Sequence, residues 1–458
     1  MSVKTTNSSP NPYRNLPNVD SLMTSSGSAA LIAQYGRSAV LDAVRAALDS
    51  ARERLRFGDS SLNDASALLD NAAAHLHAQF RPTLRPVINA TGIIIHTNLG
   101  RAPLSQAAQR AIQDAAANYS TLEFDLNTGK RGSRSIHAEA ALRAITGAEA
   151  AMVVNNAASA LVLILSALAK GKEVILSRGQ LVEIGGGFRV PEVMEQGGVR
   201  LREVGTTNRT RIDDYERAIT PDTALIMRVH ASNFKQIGFT ENTGLDELAA
   251  LAHDRGLIAL DDLGSGALLD TSVYGLEHEP MAQESLAAGA DLVVFSGDKL
   301  LGAPQAGIII GRNALIIALK KHPLARAIRA DKLCLAGLAA TLDHYRKGEA
   351  EREIPVWRMI AMPLAEIEAT AARWASEVGG SVIRGQSAVG GGSLPGETLP
   401  TALLAVDPVD PEAFTARLRA ADPPVIARIQ DDRVLFDPRT VLDGQEDALL
   451  GAIREAQN

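Results

Sequence analysis

The sequence places one lysine in a tight, glycine-rich loop directly after an apolar run. The segment is Phe295-Ser-Gly-Asp-Lys299-Leu-Leu-Gly-Ala-Pro-Gln-Ala-Gly307. A lysine side chain is costly to order and to desolvate, so packing alone is a poor reason to place it there. In a dry pocket its amine has a lowered pKa and attacks aldehydes. Lys299 is therefore a candidate for a Schiff-base lysine, and Ser296 for a phosphate donor. The alternative is a surface lysine on a loop.

Two adjacent aspartates end another apolar run, Leu257-Ile-Ala-Leu-Asp261-Asp262-Leu-Gly-Ser-Gly266. A carboxylate beside a pyridine nitrogen keeps that nitrogen protonated, so that the ring can accept electrons from a carbanion. Either aspartate could supply this charge. We favour Asp262 because it begins the Asp-Leu-Gly-Ser-Gly unit. The alternative is a capping or metal-binding acid, but no histidine or cysteine spacing supports a metal, and none is predicted.

A third apolar run leads into small residues at a predicted helix start, Met152-Val-Val-Asn155-Asn156-Ala-Ala-Ser159-Ala. The free N–H groups and the dipole at such a start bind anions. A phosphate cradle there would use Asn155, Asn156, Ala157 and Ser159, although small residues also cap ordinary helices. An anion cradle, an acid and a lysine, in this chain order, are together typical of pyridoxal 5'-phosphate (PLP) enzymes with the aspartate-aminotransferase-like fold, called fold type I.

The elements that would position these groups alternate between short β-branched runs and helical stretches from about residue 86 to 330. This alternation predicts an α/β fold with a mostly parallel sheet covered on both faces, and with ligands beyond the carboxyl ends of the strands. Helices are predicted at 157–168 and 245–254. The predicted strands are 151–154, 174–177, 201–204, 224–229, 257–260, 291–295 and 307–310.

Three domains are predicted. Residues 1–83 form an N-terminal helical domain, in which 39–57 shows an apolar period close to 3.6. Residues 84–330 form the large PLP-binding α/β domain, and residues 331–458 form a small C-terminal α+β domain with a glycine-rich hinge at 389–392.

Composition excludes several classes of protein. Hydrophobic residues make up 46% and charged residues 22%, as in ordinary globular chains. Apolar runs fall short of the roughly 18 residues of a membrane span, and the polar first ~30 residues do not resemble a signal peptide, so a cytoplasmic location is expected. The net charge of −7 gives no indication of nucleic-acid binding, so no DNA partner is expected and any RNA contact would need a local basic patch. The single cysteine, Cys334, excludes an intramolecular disulfide; no helix start is evident beside it.

The chain resembles the bacterial selenocysteine synthase family. The resemblance runs from about residue 86 to 335, with weaker similarity at both ends. Besides the Asp262 and Lys299 segments, it is carried by Val87-Ile-Asn-Ala-Thr-Gly92, His96-Thr-Asn-Leu-Gly-Arg101, Leu122-Glu-Phe-Asp125, Arg131-Gly-Ser-Arg134, Ser177-Arg-Gly-Gln-Leu-Val-Glu-Ile-Gly-Gly186, Glu203-Val-Gly-Thr-Thr-Asn208, His230-Ala-Ser-Asn233 and His322-Pro-Leu-Ala-Arg326-Ala-Ile-Arg329.

The resemblance implies a PLP-dependent reaction on a charged tRNA. L-seryl-tRNA(Sec) would lose water to give an aminoacrylate, and selenium from selenophosphate would then give L-selenocysteinyl-tRNA(Sec). Lys299 is the expected base for the α-proton, and Asp262 the expected partner of the ring nitrogen.

The resemblance also implies roles for further residues. Fixed cations for selenophosphate or the seryl group would be Arg101, Arg326 and Arg329; the spacing of the last two predicts one helix face, and the alternative is surface salt bridges. Contacts with the cofactor or substrate would come from Thr206, Thr207, Asn233 and His230.

The N-terminal region is expected to bind the tRNA, and the family assembles as homodimers in a decameric ring. The predicted phosphate contacts are Arg37, Arg45, Arg52, Arg54 and Arg56. Two alternatives remain open: a PLP lyase or transferase that acts on a free small molecule such as an amino sugar acid, and a non-catalytic RNA-binding scaffold.

Overall fold

The structure, a computed structural model, describes residues 12–61 and 64–458. By its internal contacts the chain divides into two compact units, Met1–Pro86 and Val87–Asn458. The predicted further division at residue 330 stays a prediction. Among the described residues, no helix combines the length and the apolar character that a membrane span requires.

The first unit is helical. A short 3-10 turn, Pro12–Asn15, precedes α1 (Val19–Met23), α2 (Ser26–Tyr35), α3 (Arg37–Arg56) and α4 (Ala65–Phe80). The apolar period predicted over 39–57 becomes the buried face of α3, where Val40, Val44 and Leu48 pack in the core of this unit. Asn18, Ser25 and Asp64 cap α1, α2 and α4 through their side chains.

The second unit contains all the strands described. The strands are β1 (Ile88–Asn89), β2 (Ile93–Ile95), β3 (Phe124–Asp125), β4 (Lys130–Arg131), β5 (Ala150–Val154), β6 (Glu173–Ser177), β7 (Glu183–Ile184), β8 (Phe188–Arg189), β9 (Arg200–Val204), β10 (Thr223–Val229), β11 (Ile258–Gly264), β12 (Leu292–Ser296), β13 (Gly307–Gly311), β14 (Ser381–Gly390), β15 (Thr398–Val406), β16 (Val425–Ile426), β17 (Arg428–Gln430) and β18 (Arg433–Phe436).

Its helices are α5 (Gln106–Ala117), α6 (Ile136–Thr146), α7 (Ala157–Leu168), α8 (Val190–Gln196), α9 (Ile212–Ala218), α10 (Leu245–Asp254), α11 (Ala282–Ala287), α12 (Asn313–Lys321), α13 (Pro323–Ala327), α14 (Lys332–Arg346), α15 (Ala350–Glu353), α16 (Pro355–Ala361), α17 (Leu364–Val378), α18 (Pro411–Ala420) and α19 (Glu446–Gln457).

The large sheet has seven strands in the order β5-β13-β12-β11-β10-β6-β9, and β13 runs antiparallel to both of its neighbours. The predicted mostly parallel sheet is therefore confirmed. Alternate residues of β12 pack into two different apolar cores, Val294 on one face and Phe295 on the other, so both faces are covered. The carboxyl ends of the parallel strands meet at one edge, where the candidate residues lie.

Strand β11 differs from its prediction. The acids at 261 and 262 were expected to end the strand, but the strand continues through them to Gly264. The physical reason is ion pairing, because Arg228 on the neighbouring strand β10 binds the buried carboxylate of Asp261 with two hydrogen bonds.

A second, five-stranded sheet has the order β17-β18-β15-β14-β2. Strand β2 pairs in parallel with β14, and β1 pairs with β16. Residues 88–95, which were predicted to belong to the large PLP-binding domain, thus pair with strands from the C-terminal third of the chain.

The segment around Cys334 also differs from expectation, because a helix does begin there. Asp331 caps α14, and its carboxylate accepts hydrogen bonds from the N–H groups of Leu333 and Cys334. Burial raises the pKa of the Cys334 thiol to about 12, so the residue remains a thiol despite its place in the first turn.

Candidate active site

Lys299 lies in the loop that follows β12 and is only 7% exposed. Backbone hydrogen bonds close this loop: Gly297 N–H donates to Ala306 O (2.9 Å) and Ala303 N–H to Gly297 O (2.8 Å). The loop is also tied to the end of β11, because Leu300 N–H donates to Ser265 O at 3.0 Å. The lysine is therefore buried at the edge of the sheet, and the alternative of a surface lysine is wrong.

The surroundings of Lys299 determine its protonation. Burial lowers the pKa of its amine below the ordinary value, and the charge of Arg101 acts in the same direction. Three carboxylates oppose this effect by raising the pKa, those of Asp262, Asp298 and Glu279. Because burial prevails, Nζ loses its proton more readily than in water and can act as a nucleophile or as a base.

Two aromatic side chains, Tyr345 and Trp357, anchor the Lys299 loop by hydrogen bonds. The Tyr345 hydroxyl lies 3.0 Å from Leu301 O and 3.3 Å from Leu300 O, the two carbonyls that follow the lysine. The fully buried Trp357 donates its Nε1–H to the same hydroxyl at 2.7 Å. The tyrosine thus joins the lysine loop to α16.

Replacing Tyr345 with Phe is expected to lower the free energy of unfolding by about 1–3 kcal/mol. The substitution leaves the indole N–H of Trp357 buried without its acceptor and removes a donor from Leu301 O. Urea unfolding would measure the loss. Tyr119→Phe is the matched control, since Tyr119 is fully exposed. Equal stability of the two variants would contradict this account of the loop.

Asp261 and Asp262 occupy opposite faces of β11, because successive side chains of a strand alternate. The carboxylate of Asp261 is bound by Arg228, with both nitrogen–oxygen distances at 2.7 Å. Asp262 instead lies on the Lys299 side. Burial raises the pKa of Asp262 to about 7, while the charges of Lys299 and His230 partly oppose this rise. Of the two aspartates left open by the sequence, Asp262 is the one with a cationic partner in the site.

The predicted anion cradle lies at the start of α7. Asn156 caps the helix, and its side-chain oxygen accepts from Ser159 N–H at 2.8 Å. The two N–H groups that precede it, those of Ala157 and Ala158, have no acceptor within the helix and are free for an anion. In the sheet register, Gly307 stands between Val154 and Ser296, which brings the end of β12 beside this helix start. Here a Cβ on Gly307 would meet Asn156 O at 2.1 Å.

Two glycines line the Lys299 amine. A Cβ on Gly392 would lie 2.7 Å from Nζ, and one on Gly264 would lie 3.5 Å from it. Both glycines have positive φ, at +81° and +68°. Gly392 belongs to the run expected to form a hinge; in the structure this run brings backbone from the second sheet against the lysine.

These residues fit PLP. The cofactor needs a lysine amine, an acid for its ring nitrogen and donors for its phosphate, and the strand ends bring together a buried Lys299, a buried Asp262 and the open start of α7. The glycines beside Nζ keep side chains out of the space that a planar ring would need.

Arg101 is held next to Lys299. Its Nη1 lies 2.6 Å from Asp298 Oδ2, and the following residue, Ala102, donates its N–H to Asp298 O at 3.3 Å. Arg101 itself has φ +64°, a left-handed conformation that costs a non-glycine residue about 1 kcal/mol or more. This strained conformation places the Arg101 guanidinium beside the lysine loop, where it pairs with Asp298.

Arg326 and Arg329 do not share one helix face. Helix α13 ends at Ala327, so Arg329 lies beyond it and forms an isolated β-bridge with Val154. The helix stops at Ile328, whose carbonyl oxygen accepts a hydrogen bond from Asn155 N–H at 2.8 Å. This places Arg329 beside the anion cradle instead, where its guanidinium is exposed and 4.0 Å from Glu123.

The other residues predicted to contact the cofactor or substrate differ in their hydrogen-bond partners. The backbone N–H of His230 donates to the backbone carbonyl of Asp262 at 2.9 Å, which makes the two residues neighbours. Thr206, Thr207 and Asn233 are exposed and bond locally, to Arg209, Gln236 and Glu183 respectively. Within the part of the chain described, none of these three local bonds reaches Lys299 or Asp262.

Sequence reasoning missed two partners. Arg228 lies inside β10, and its pairing with Asp261 depends on the register of two strands distant in sequence. Glu279, 2% exposed, raises the pKa of Lys299 from a loop that shows no motif of its own. The one available signal was its position among polar residues of the segment Leu276-Glu-His-Glu279-Pro.

Comparison with known proteins identifies relatives along the whole chain. A family model described as L-seryl-tRNA selenium transferase matches residues 87–442, and one described as selenocysteine synthase N terminal matches residues 13–52. The L-seryl-tRNA(Sec) selenium transferase of Hyphomonas neptunium is 49% identical over 97% of this chain and 99% of its own length. That of Geobacter sulfurreducens is 47% identical over the same shares.

Among solved structures, D-glucosaminate-6-phosphate ammonia-lyase matches with a TM-score of 0.60 and 22% identity, over 83% of this chain and 98% of its own. This likeness shows a shared fold, and the architecture is that of fold type I PLP enzymes, as the sequence predicted. The near full-length identity to the transferases shows the family. The chain belongs to the L-seryl-tRNA selenium transferase family.

Proposed function

We propose that this protein converts L-seryl-tRNA(Sec) to L-selenocysteinyl-tRNA(Sec), with PLP as cofactor and selenophosphate as the selenium donor. The observation that carries the proposal is the buried pair of Lys299 and Asp262 at the strand ends of a chain from this family. The relatives that match nearly the whole chain are named for this reaction.

Each site residue has a task in this proposal. Lys299 would hold PLP through its amine, Asp262 would face the ring nitrogen, and the start of α7 with Ser296 would bind the phosphate. When bound, PLP supplies an electron sink for the substrate α-carbon. The Lys299 amine would also take the substrate α-proton onto Nζ, because its lowered pKa leaves it free to accept one.

Selenophosphate is an anion and needs fixed cations. Arg101 is the best-placed candidate, since its guanidinium acts on Lys299 and is oriented by Asp298. Arg329 borders the anion cradle, and Arg326 is exposed on α13. Guanidinium forks suit the oxygens of a phosphate-like donor. In the same proposal Thr206, Thr207, Asn233 and His230 contact the cofactor or the seryl group.

The helical first unit would bind the tRNA. Three of the predicted arginines, Arg45, Arg52 and Arg56, are seven and eleven residues apart along α3 and so share one face. All three are exposed. Arg54 lies on the opposite side of the helix, and Arg37 begins it. We also propose a cytoplasmic location and a homodecamer built of dimers, following the family resemblance.

Replacing Arg45, Arg52 and Arg56 together with Ala is expected to lower the tRNA affinity at least tenfold. The slope of log affinity against log salt concentration should also become shallower, by roughly one unit per lost phosphate contact. Filter binding across a salt series would measure both quantities. The matched control replaces three exposed arginines of the second unit, Arg373, Arg384 and Arg454, with the same change of charge. An equal loss in both triple variants would point to overall charge instead of α3.

The experiment that tests the proposed function compares two substrates of the holoenzyme. Labelled seryl-tRNA(Sec) with selenophosphate should yield selenocysteinyl-tRNA(Sec), whereas ordinary seryl-tRNA should not react. Release of ammonia from an amino sugar acid, without any product from seryl-tRNA(Sec), would overturn the proposal in favour of a small-molecule lyase.

A further inference from the structure

Glu279 is a buried carboxylate that the proposed reaction does not use. It lies in the loop between Tyr274 and α11 and is 2% exposed. Its backbone is fixed, since Glu279 N–H donates to the hydroxyl of the buried Thr271 at 2.8 Å. Thr271 in turn donates to Glu277 O at 2.6 Å, which closes the loop on itself. The side chain is thus presented inward from a rigid turn.

The carboxylate faces His230. Glu279 Oε1 lies 3.2 Å from His230 Nε2, and neither atom has an aligned hydrogen-bond partner among the described residues. A buried carboxylate without a partner is costly, and so is a buried imidazole nitrogen. Their separation of 3.2 Å makes each atom a hydrogen-bond candidate for the other.

His230 connects this carboxylate to the catalytic pair. The backbone N–H of His230 donates to the backbone carbonyl of Asp262 at 2.9 Å, so the two residues are neighbours, and the charge of His230 is one of the influences that lower the pKa of Asp262. The charge of Glu279 also reaches Lys299 and raises the pKa of its amine. Glu279 and His230 are therefore in contact with each other and coupled by charge to Asp262 and Lys299.

His230 and Glu279 also form part of the wall of a cleft of 670 Å³ beyond the strand ends. Gln180, Phe234 and Lys235 line the same cleft. A substrate bound in this cleft would contact the imidazole, so under the proposed function the orientation of that ring matters to the reaction and not only to the stability of the loop.

We propose that Glu279 is a positioning residue of the reaction: it fixes the orientation of the His230 imidazole, on the residue whose backbone pairs with that of Asp262. The proposal rests on the proposed function, because it assumes PLP at Lys299. It differs from a purely structural role, in which Glu279 would only stabilise its own loop.

A double-mutant cycle on the holoenzyme tests the proposal with Glu279→Gln, His230→Asn and the double variant. We expect Glu279→Gln to change the visible circular dichroism of bound PLP and to lower kcat about tenfold to a hundredfold, with KM for seryl-tRNA changed less than about threefold. In the His230→Asn background the same substitution should add less than about threefold. Glu349→Gln is the matched control, since Glu349 pairs with His344 at 2.9 Å on another element.

Two outcomes would overturn the proposal. In the first, Glu279→Gln lowers the melting temperature as Glu349→Gln does but leaves the dichroism and kcat unchanged. In the second, its effects are undiminished in the His230→Asn background. If Glu279→Gln does not fold, Glu279→Asp, which keeps the charge but withdraws it by one methylene, is judged by the same readouts. Because the dichroism is recorded without tRNA, failure of selenium transfer by the unsubstituted enzyme is distinguishable from failure of this proposal.

Discussion

Lys299→Ala is expected to reduce selenium transfer by at least about a thousandfold while leaving tRNA affinity within about twofold. The variant loses both the amine that would hold PLP and the base that would take the α-proton. The tRNA affinity should persist, because the arginines proposed to bind tRNA lie on α3 in the other unit. Single-turnover conversion and filter binding would measure the two quantities on the same preparation.

Two controls make this result specific to the amine of Lys299. Lys299→Arg keeps a positive charge but supplies no comparable nucleophile, so it should be as inactive as the alanine variant. Lys332→Ala removes a different lysine, one that donates to Asn118 O from the surface, and should retain full activity. Near-normal conversion by Lys299→Ala would show that the lysine assignment is wrong.

Asp262→Asn is expected to lower kcat at least about a hundredfold, because an amide cannot supply the negative charge that keeps the ring nitrogen protonated. Asp261→Asn should behave differently. It removes the negative charge and one of the two oxygens that accept hydrogen bonds from Arg228, at a cost of about 3 kcal/mol in stability. Its folded fraction should keep most of its activity.

The two aspartate variants are best compared at equal PLP occupancy, with kcat and the free energy of unfolding measured for each. The account requires the activity loss and the stability loss to fall on different residues. A large kcat loss in folded Asp261→Asn, together with an active Asp262→Asn variant, would show that Asp261, and not Asp262, faces the ring nitrogen.

The large sheet was predictable because its strands are short β-branched runs with helices between them. The lysine loop, the aspartate pair and the helix start at Asn156 were found because parallel strands bring their carboxyl ends to one edge. The choice between Asp261 and Asp262 could be made only in part, since it depends on which face of β11 meets Arg228, and that follows from the pairing of β10 with β11.

Contacts between distant segments could not be predicted from local patterns. Strand β2 pairs with β14 almost three hundred residues later. The same pairing carries Gly392 to the Lys299 amine, so a run that resembles a hinge in sequence becomes a wall of the site. Arg329 was expected on a helix because its spacing from Arg326 allows one, but a bridge to Val154 prevails over that local preference.

The central claim is that Lys299 is the residue that holds the cofactor. Reduction of the holoenzyme with borohydride, followed by digestion and mass spectrometry, tests it most directly. The account predicts a pyridoxyl-phosphate group on the peptide that contains Lys299, and none on the peptide that contains Lys235, the lysine that lines the neighbouring cleft. A modified Lys235 with an unmodified Lys299 would contradict the account.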